Sequence, residues 1–381
     1  MASYGTAPSI AAVLSPEIRV ETISGYQEFL NLKPAWDRLV AEAGIDHPFL
    51  EHDWLRTWWD CFGEGNRLHI VVAKAGDHLE AIAPLMWNSG RMWGMPVKRL
   101  SFLYNDHVPR AGFIVSPGAP GAYKAIWNHL RDDRSWDLLQ LCQLPETSPT
   151  LSAVRELAAQ DGFPAGVWNS GASPYIRLAG TWEGYLAGLD SKFRANLRNR
   201  IKRLGAVGPV KLDVVTSADP DVMDAGFELE AAAWKGTHGT AISCDRRLER
   251  FYREFGRRAA DRGWLRLNFL AAGNTRINFD YSLAYKNSLY ILKSGYDPTH
   301  SAYSPNNLMI CKLVERAFQE GMDTYYFLGD AVDWKLRWTD TVEHSCWLYV
   351  FSNTLAGRLR RTLKFQLSPM LKKILRREAP R

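Results

Sequence analysis

Apolar residues recur at helical spacing from Gly25 to Glu42, where Tyr26, Phe29, Leu30, Trp36, Leu39 and Val40 mark one side, and again from Glu51 to Cys61. Residues 68–87, LHIVVAKAGDHLEAIAPLMW, read as two β-rich runs around the turn signal Ala75-Gly76-Asp77, hence a hairpin. The pattern returns at 265–284, LRLNFLAAGNTRINFDYSLA, at an offset of 197 residues without a gap. Leu68/Leu265, Ile70/Leu267, Val72/Phe269, Ala75/Ala272, Gly76/Gly273, Asp77/Asn274 and Ile82/Phe279 correspond. The repeat points to an internal duplication with one hairpin per half. Alternation of helix-like and strand-like segments makes the chain mixed α/β.

The second half opens with SKFRANLRNRIKRL (191–204). Phe193, Leu197, Ile201 and Leu204 fall on one helical face, and Lys192, Arg194, Arg198, Arg200, Lys202 and Arg203 cover the rest, with Gly205 as a stop. A helix carrying Glu228, Glu230, Trp234 and Lys235 follows, then another from Leu248 to Arg262. After the second hairpin, SLYILKSGYDP reads as a strand. A helix then starts at Ser304-Pro305, with Ser as N-cap and Pro at the first helical position, and stops at Gly321. DTYYFLGD is a buried strand, and the segments WKLRW and CWLYVF close the second half.

Composition fits a folded protein: of 381 residues, 46% are hydrophobic and 23% charged, which excludes a disordered chain. The net charge of +6 is unevenly spread. Residues 356–381 hold nine Lys/Arg against one acid, a net +8, and the rest carries 38 bases against 40 acids. With the basic helix also set aside, the remainder is −7, which argues against a broad nucleic-acid footprint. In the tail, Leu355, Leu359, Leu363 and Leu367 share a face. Beyond Ser368-Pro369 a second stripe of Met370, Leu371, Ile374 and Leu375 follows, the pattern of a cationic amphipathic helix on an anionic membrane surface. No run of 18 apolar residues, no signal-peptide pattern and five scattered Cys without metal-ligand spacing lead to an expectation of a cytoplasmic protein at the inner face of the membrane, with no metal.

The order of these segments carries a resemblance. A basic FRANLRNRIKRL-type helix is followed by Glu230 with Trp234-Lys235 four and five residues on, the hairpin, a Gly-Tyr-Asp strand end, a Ser-Pro helix start and a Tyr-Phe-Leu-Gly-Asp…Trp-Lys…Trp ending. Together with EHDWLRTWWDCFGEGNRLHIVVAKAGDHLEAIAPL in the first half, this resembles the BioF2-like (CelD-type) acetyltransferase-domain proteins of the GNAT superfamily and, more distantly, the Fem-type peptidyltransferases. The resemblance covers roughly residues 20 to 350. It implies tandem GNAT-like α/β folds with mixed, mostly antiparallel sheets flanked by helices: 17–165 a degenerate GNAT-like half, 172–350 the catalytic half, and 351–381 a basic tail. It implies acyl transfer to an amine, with acyl-CoA or acetyl-CoA as co-substrate and no bound cofactor. The acceptor would be an envelope lipid such as a sphingoid base, or an amino sugar precursor. An aminoacyl-tRNA donor, as in the Fem branch, and a non-catalytic scaffold in polysaccharide synthesis are the alternatives.

Such chemistry needs a base for the amine, donors for the oxyanion and a place for the donor's phosphates. Glu230 matches the family's acidic position, and Asp280, an acid inside an apolar strand, is the second candidate base. Lys335 matches the lysine of the Fem-type ending and would stabilise the oxyanion or hold an anionic substrate, while Tyr296 would protonate the leaving thiolate. Trp234, Lys235, Tyr303, Ser304, Asn306, Asn307, Asp330, Arg337, Trp338, Arg194 and Arg198 are the candidate binding residues. Where relatives carry Ser-Pro-Gly at the helix start this chain has Ser304-Pro305-Asn306-Asn307, a departure that bears on phosphate binding.

Overall fold

The computed structural model describes residues 17–232 and 234–367. Thirteen strands form its sheet: β1 (Ile18–Ile23), β2 (Arg67–Ala75), β3 (His78–Met92), β4 (Met95–Phe102), β5 (Ile114–Val115), β6 (Leu138–Pro145), β7 (Ala165–Arg177), β8 (Val210–Val215), β9 (Leu265–Ala272), β10 (Thr275–Tyr285), β11 (Ser288–Tyr296), β12 (Thr324–Tyr326) and β13 (Val342–Phe351). Their spatial order is β1-β2-β3-β4-β6-β13-β7-β12-β11-β10-β9-β8, with β5 beside β3.

Read inward from either edge, the arrangement repeats. Four antiparallel strands (β1–β4, or β8–β11) meet a parallel fifth (β6, or β12). The parallel step is made through a helix in each half, Gly121–Asp132 and Pro305–Gln319. The two hairpins noted in the sequence are β2–β3 and β9–β10. They turn at Gly76 and Gly273 with φ of +60° and +61°, a backbone state that glycine reaches without a Cβ penalty.

The closing strand lies elsewhere than its place in the sequence implies. CWLYVF belongs to β13, which sits between β6 and β7 and pairs Phe351 with Leu138 and Val350 with Ala165. A nearly continuous buried run suits such a central strand. β7 in turn serves two neighbours: Ala165–Pro174 pairs β13, and Tyr175–Arg177 pairs β12. The division drawn from the sequence between 165 and 172 therefore falls inside β7.

A common core joins the halves. The helix His52–Phe62 packs on the helix Arg246–Asp261, and fully buried Trp54 stands edge-on to Phe49, Phe251 and Phe255 at 4.9, 5.1 and 4.8 Å. Polar ties flank it: Tyr285 donates to Glu51, Tyr290 donates to the Asp46 carbonyl at 2.8 Å, and Arg262 bridges Asp37 and Asp53 at 2.6 and 3.0 Å.

Two helices expected to be continuous are broken. Gly25–Glu42 forms Tyr26–Asn31 and Lys33–Glu42, parted at Leu32, because Pro34 has no N–H to carry the ladder across. The Glu230 helix, Pro220–Ala231, ends before a separate turn Trp234–Thr237. The chain folds back there so closely that a Cβ on Gly236 would lie 2.2 Å from the Ala231 carbonyl oxygen. The basic helix Ser191–Gly205 buries Phe193, Leu197 and Leu204 and half-buries Ile201, as its pattern requires, and Asp190 caps it through the Phe193 N–H at 2.8 Å. Gly205 is its last residue and has no positive φ, so the stop is not a left-handed glycine cap. Of the tail, Leu355–Thr362 and Leu363–Leu367 are helical, and residues 368–381, with the second apolar stripe, lie outside the described residues. Among the described residues no helix is long and apolar enough to cross a membrane.

Because the halves share one core, Trp54→Ala is expected to cost about 3–5 kcal/mol. Urea unfolding should still show a single transition by tryptophan fluorescence and circular dichroism; a second, separate transition would show that the halves unfold independently.

Candidate functional site

β11 and β12 pair over three residues only, from Ser288↔Thr324 to Tyr290↔Tyr326. Beyond Tyr290, β11 continues along β10, with a bulge opposite Tyr281/Ser282, while β12 ends and the chain turns through Leu328 and Gly329 at φ +52° and +60°. The strands thus open a wedge. It holds a cavity of about 250 Å³ lined by Asp280, Lys235, Lys293, Lys335, Asn306 and Tyr325, among others. Through Leu292, Lys293, Leu328 and Gly329 it adjoins a second cavity of about 200 Å³ between the halves, lined by Asp106, His107, Arg110, Asp330 and Glu343. Asp106 and His107 lead on to a third, about 570 Å³, walled by Trp58, Phe62 and Trp347. The three form one groove from the second half into the first.

Asp280 sits on β10 opposite Ser294 and is 3% exposed. Burial raises its carboxyl to about 7, against the pull of Lys235. Burial likewise lowers Lys293 to about 8, with Lys235 adding to it, and lowers Lys335 to about 8 against the opposing field of Asp330. The Lys335 ammonium donates to the carbonyls of Leu328 at 2.6 Å and Asp330 at 3.0 Å. Lys235 donates to Glu230 Oε1 at 2.9 Å and to the Ser294 carbonyl at 2.6 Å, so it grips the edge of β11 that β12 has left.

Glu230 is fully buried and does not line the wedge cavity. One carboxylate oxygen takes Lys235 and the other takes the Ile242 N–H at 2.9 Å. Gly295 lets β11 lie against this helix, since a Cβ there would stand 2.3 Å from Glu230 Cα. Tyr296, at the end of β11, does not line the cavity either. The hydroxyl that does is Tyr325. It is buried without a hydrogen-bond partner, and its pKa is raised by burial and then by Asp280. In the sequence it is one of three consecutive hydroxyl-bearing residues, Thr324-Tyr325-Tyr326, of a buried strand, with nothing local to single it out. Lys293 was missed in the same way.

The helix start is only partly as expected. Ser304 occupies the N-cap position in the left-handed region, φ +50°, and its hydroxyl caps nothing. Pro305 lacks an N–H, and the Asn307 N–H bonds to the Ser304 carbonyl at 3.0 Å, so the free amides there are sparse. Asn306 faces the cavity and accepts from Asn278, whose own Oδ1 is buried without a partner. Asn307 accepts from Trp338 Nε1 at 3.2 Å. The basic helix runs close by, with the Arg203 guanidinium over the Tyr303 ring at 5.5 Å. Arg198 is exposed, whereas Arg194 is engaged with the Ala187 carbonyl.

The cluster Asp330, Lys335, Arg337 and Trp338 is divided. Lys335 faces the wedge and Asp330 the junction cavity. Arg337 and Trp338 line a separate cavity of about 910 Å³, beside Lys192 and Asn196. That space is lined by neither the splayed strands nor Asp280 and is separate from the wedge. Trp338 is buried edge-on to Phe193 at 5.0 Å. The side chain of Trp234 lies outside the described residues.

Residues 191–336 match the family model of the acetyltransferase (GNAT) domain. Among solved structures, the chain is similar to FemX at 12% identity and a TM-score of 0.60, over 90% of this chain and 100% of that one. It is similar to the C-terminal domain (DUF2156) of a putative lysylphosphatidylglycerol synthetase from Agrobacterium fabrum at 13% and 0.54, over 88% and 96%. L-PGS from Bacillus licheniformis follows at 11% and 0.50, over 90% and 96%. At these identities the likeness is one of fold. No curated protein matches the sequence.

The raised Asp280 carboxyl has a thermodynamic consequence. The folded chain keeps this proton between pH 4 and 7, where the unfolded chain has released it, so stability falls as pH rises through that window. Asp280→Asn is expected to remove this component and to leave the protein more stable than wild type above pH 7, by urea denaturation at several pH values; an unchanged pH profile would place the titration elsewhere.

Proposed function

We propose, on the premise that residues 191–336 are a GNAT-type acetyltransferase domain, that the chain moves an acyl group from an acyl-CoA thioester to an amine on an envelope lipid or sugar precursor at a membrane surface. In this reading 172–350 is the catalytic half, 17–165 walls the acceptor side, and 351–381 addresses the membrane. The observation that carries it is the wedge between β11 and β12, with Asp280 at about 7 facing lysines on a strand edge that has lost its partner.

The chemistry assigns itself by ionisation. Near neutral pH Asp280 is partly ionised, so it takes a proton from the attacking amine as the new C–N bond forms. The thioester oxygen becomes an oxyanion, which Lys335, still largely protonated, and the free backbone edge of β11 stabilise. When the C–S bond breaks, the thiolate takes a proton from the unpartnered Tyr325 hydroxyl in the same cavity, the role first given to Tyr296. Glu230 acts one step back, holding Lys235 on Ser294. The amine approaches through the junction cavity, where Asp106, Asp330 and Glu343 suit its cationic form, and the apolar remainder of a lipid acceptor fits the stretch walled by Trp58, Phe62 and Trp347. With few amides free at Ser304-Pro305-Asn306-Asn307, the donor phosphates fall to the basic helix, through exposed Arg198 and Arg203.

Those same exposed bases favour the one rival donor, an aminoacyl-tRNA. It requires tRNA binding with a steep salt dependence, and absence of such binding removes it. For the proposed reaction, free thiol release from acyl-CoA on addition of an amine is expected. Asp280→Asn should lower kcat by about 10²-fold or more, and Lys335→Ala should lower kcat more than it raises KM. Wild-type rates in the Asp280 variant would leave that carboxyl without a catalytic role, and failure of the wild-type chain to release thiol with any amine would favour the scaffold alternative.

A further inference from the structure

The C-terminal helix lies on the protein with its faces reversed. Leu355–Thr362 and the turn Leu363–Leu367 cover a small apolar patch of the sheet made by Val97, Leu138, Tyr349 and Phe351. The contact is made by Gly357, Arg360 and Phe365. Arg360 pairs with Asp137 at 3.1 Å and donates to the Pro96 carbonyl at 3.4 Å, and Phe365 fills the space a Cβ on Gly166 would need. Three of the four leucines point the other way, Leu355 88% exposed, Leu359 54% and Leu367 43%, while Leu363 is half-buried. A helix docked on a protein ordinarily turns its leucines inward. Here burial against the sheet is achieved without them, and they are left in a row on the surface.

A second apolar element stands beside this row. Pro96, which Arg360 contacts, is the second residue of β4, just after the tip of the β3–β4 hairpin, where Trp93 and Met95 are 46% and 39% exposed. The tip residues Trp93 and Gly94 have φ of +49° and +78°, the two-residue turn in which Asn and Gly are ordinary. An indole there is held in a conformation that bulky side chains rarely adopt, with no buried contact to account for it. Exposed Arg91 and Lys98 flank the tip, and Arg358 and Lys364 belong to the helix. Exposed tryptophan and leucine ringed by cations match a surface that is apolar within and anionic at its rim.

We infer that the Trp93–Met95 hairpin tip and the outward row Leu355, Leu359 and Leu367 together form the face by which the chain seats on an anionic bilayer. The tip acts as a wedge separate from the C-terminal tail. This rests on the membrane part of the reading above and is independent of the transfer chemistry.

The test is sedimentation of the full chain with phosphatidylglycerol-containing vesicles and with pure phosphatidylcholine vesicles. Wild type is expected to pellet with the first and not the second. Trp93→Ser with Met95→Ser, and separately Leu355→Ser with Leu359→Ser, should each weaken binding by about tenfold or more. Their thermal unfolding, and thiol release with a water-soluble amine, should stay at wild-type values. A tip variant that pellets like wild type overturns the inference. So does a wild-type chain that ignores both vesicle types and instead forms a concentration-dependent dimer lost in the leucine variant, which would make the face a protein interface. In the wild-type chain, absence of vesicle binding with intact thiol release counts against this inference alone, and absence of thiol release with intact vesicle binding counts against the transfer reading alone.

Discussion

The parting of β11 from β12 after Tyr290 governs what this molecule can do. Three paired residues are enough to fix the two strands as neighbours, and their separation then leaves a length of β11 with backbone groups facing a cavity instead of a strand. Nature's usual rule is that buried backbone polar groups find partners. Here the partner on that edge is a lysine, Lys235 on the Ser294 carbonyl, held by a carboxylate that is itself wholly enclosed. Glu230, Lys235 and β11 make a rigid wall, and the glycine at 295 is what lets the wall be this thin. Asp280 and Tyr325 face the opening from the neighbouring strands, and both owe their shifted ionisation first to burial. Their ionisation is unusual because the wedge encloses them.

Electrostatics divides the groove. The wedge brings together Lys235, Lys293 and Lys335 around one carboxyl, while the junction cavity next to it is bordered by Asp106, Asp330 and Glu343, the last paired with Arg110 at 2.6 Å. A positive pocket adjoining a negative one suits a reaction in which negative charge develops on one reactant and the other arrives as a cation. Arg110, almost fully buried over the Tyr326 ring at 4.4 Å, ties this boundary to the strand that ends at the wedge. Of these groups Asp106 and Arg110 come from the first half and the rest from the second.

Much of this was legible in the amino-acid pattern. The repeated hairpins at 68–87 and 265–284 stood for halves whose whole strand order repeats. The apolar face of 191–204 was read correctly because one helix turning four residues inward leaves a plain periodic trace. Asp280 was visible as an acid in an apolar run. What the pattern did not carry was anything depending on distant parts of the chain. Glu230 looked like a helix carboxylate near Trp234, and only the break after Ala231 turns Lys235 back onto it. Tyr296 ends β11 and Tyr325 is the middle residue of β12, and only the latter lines the cavity. The placement of CWLYVF depends on pairing with residues some 200 positions earlier, for which local sequence offers no sign.

That placement reaches beyond the finished structure. The ladder between β6 and β7 is filled by β13, so while the chain is being made the first half has a gap two strand-edges wide until residues 342–351 have left the ribosome. The second half, apart from its pairing through β7, can assemble from consecutive segments. The last contacts to form are then the longest-range ones, and they form where exposed β edges are most prone to mispair. An early half that waits for the late one ties maturation of the first half to completion of the second, and a chain cut short before Val342 is left with an open sheet that invites aggregation and proteolysis.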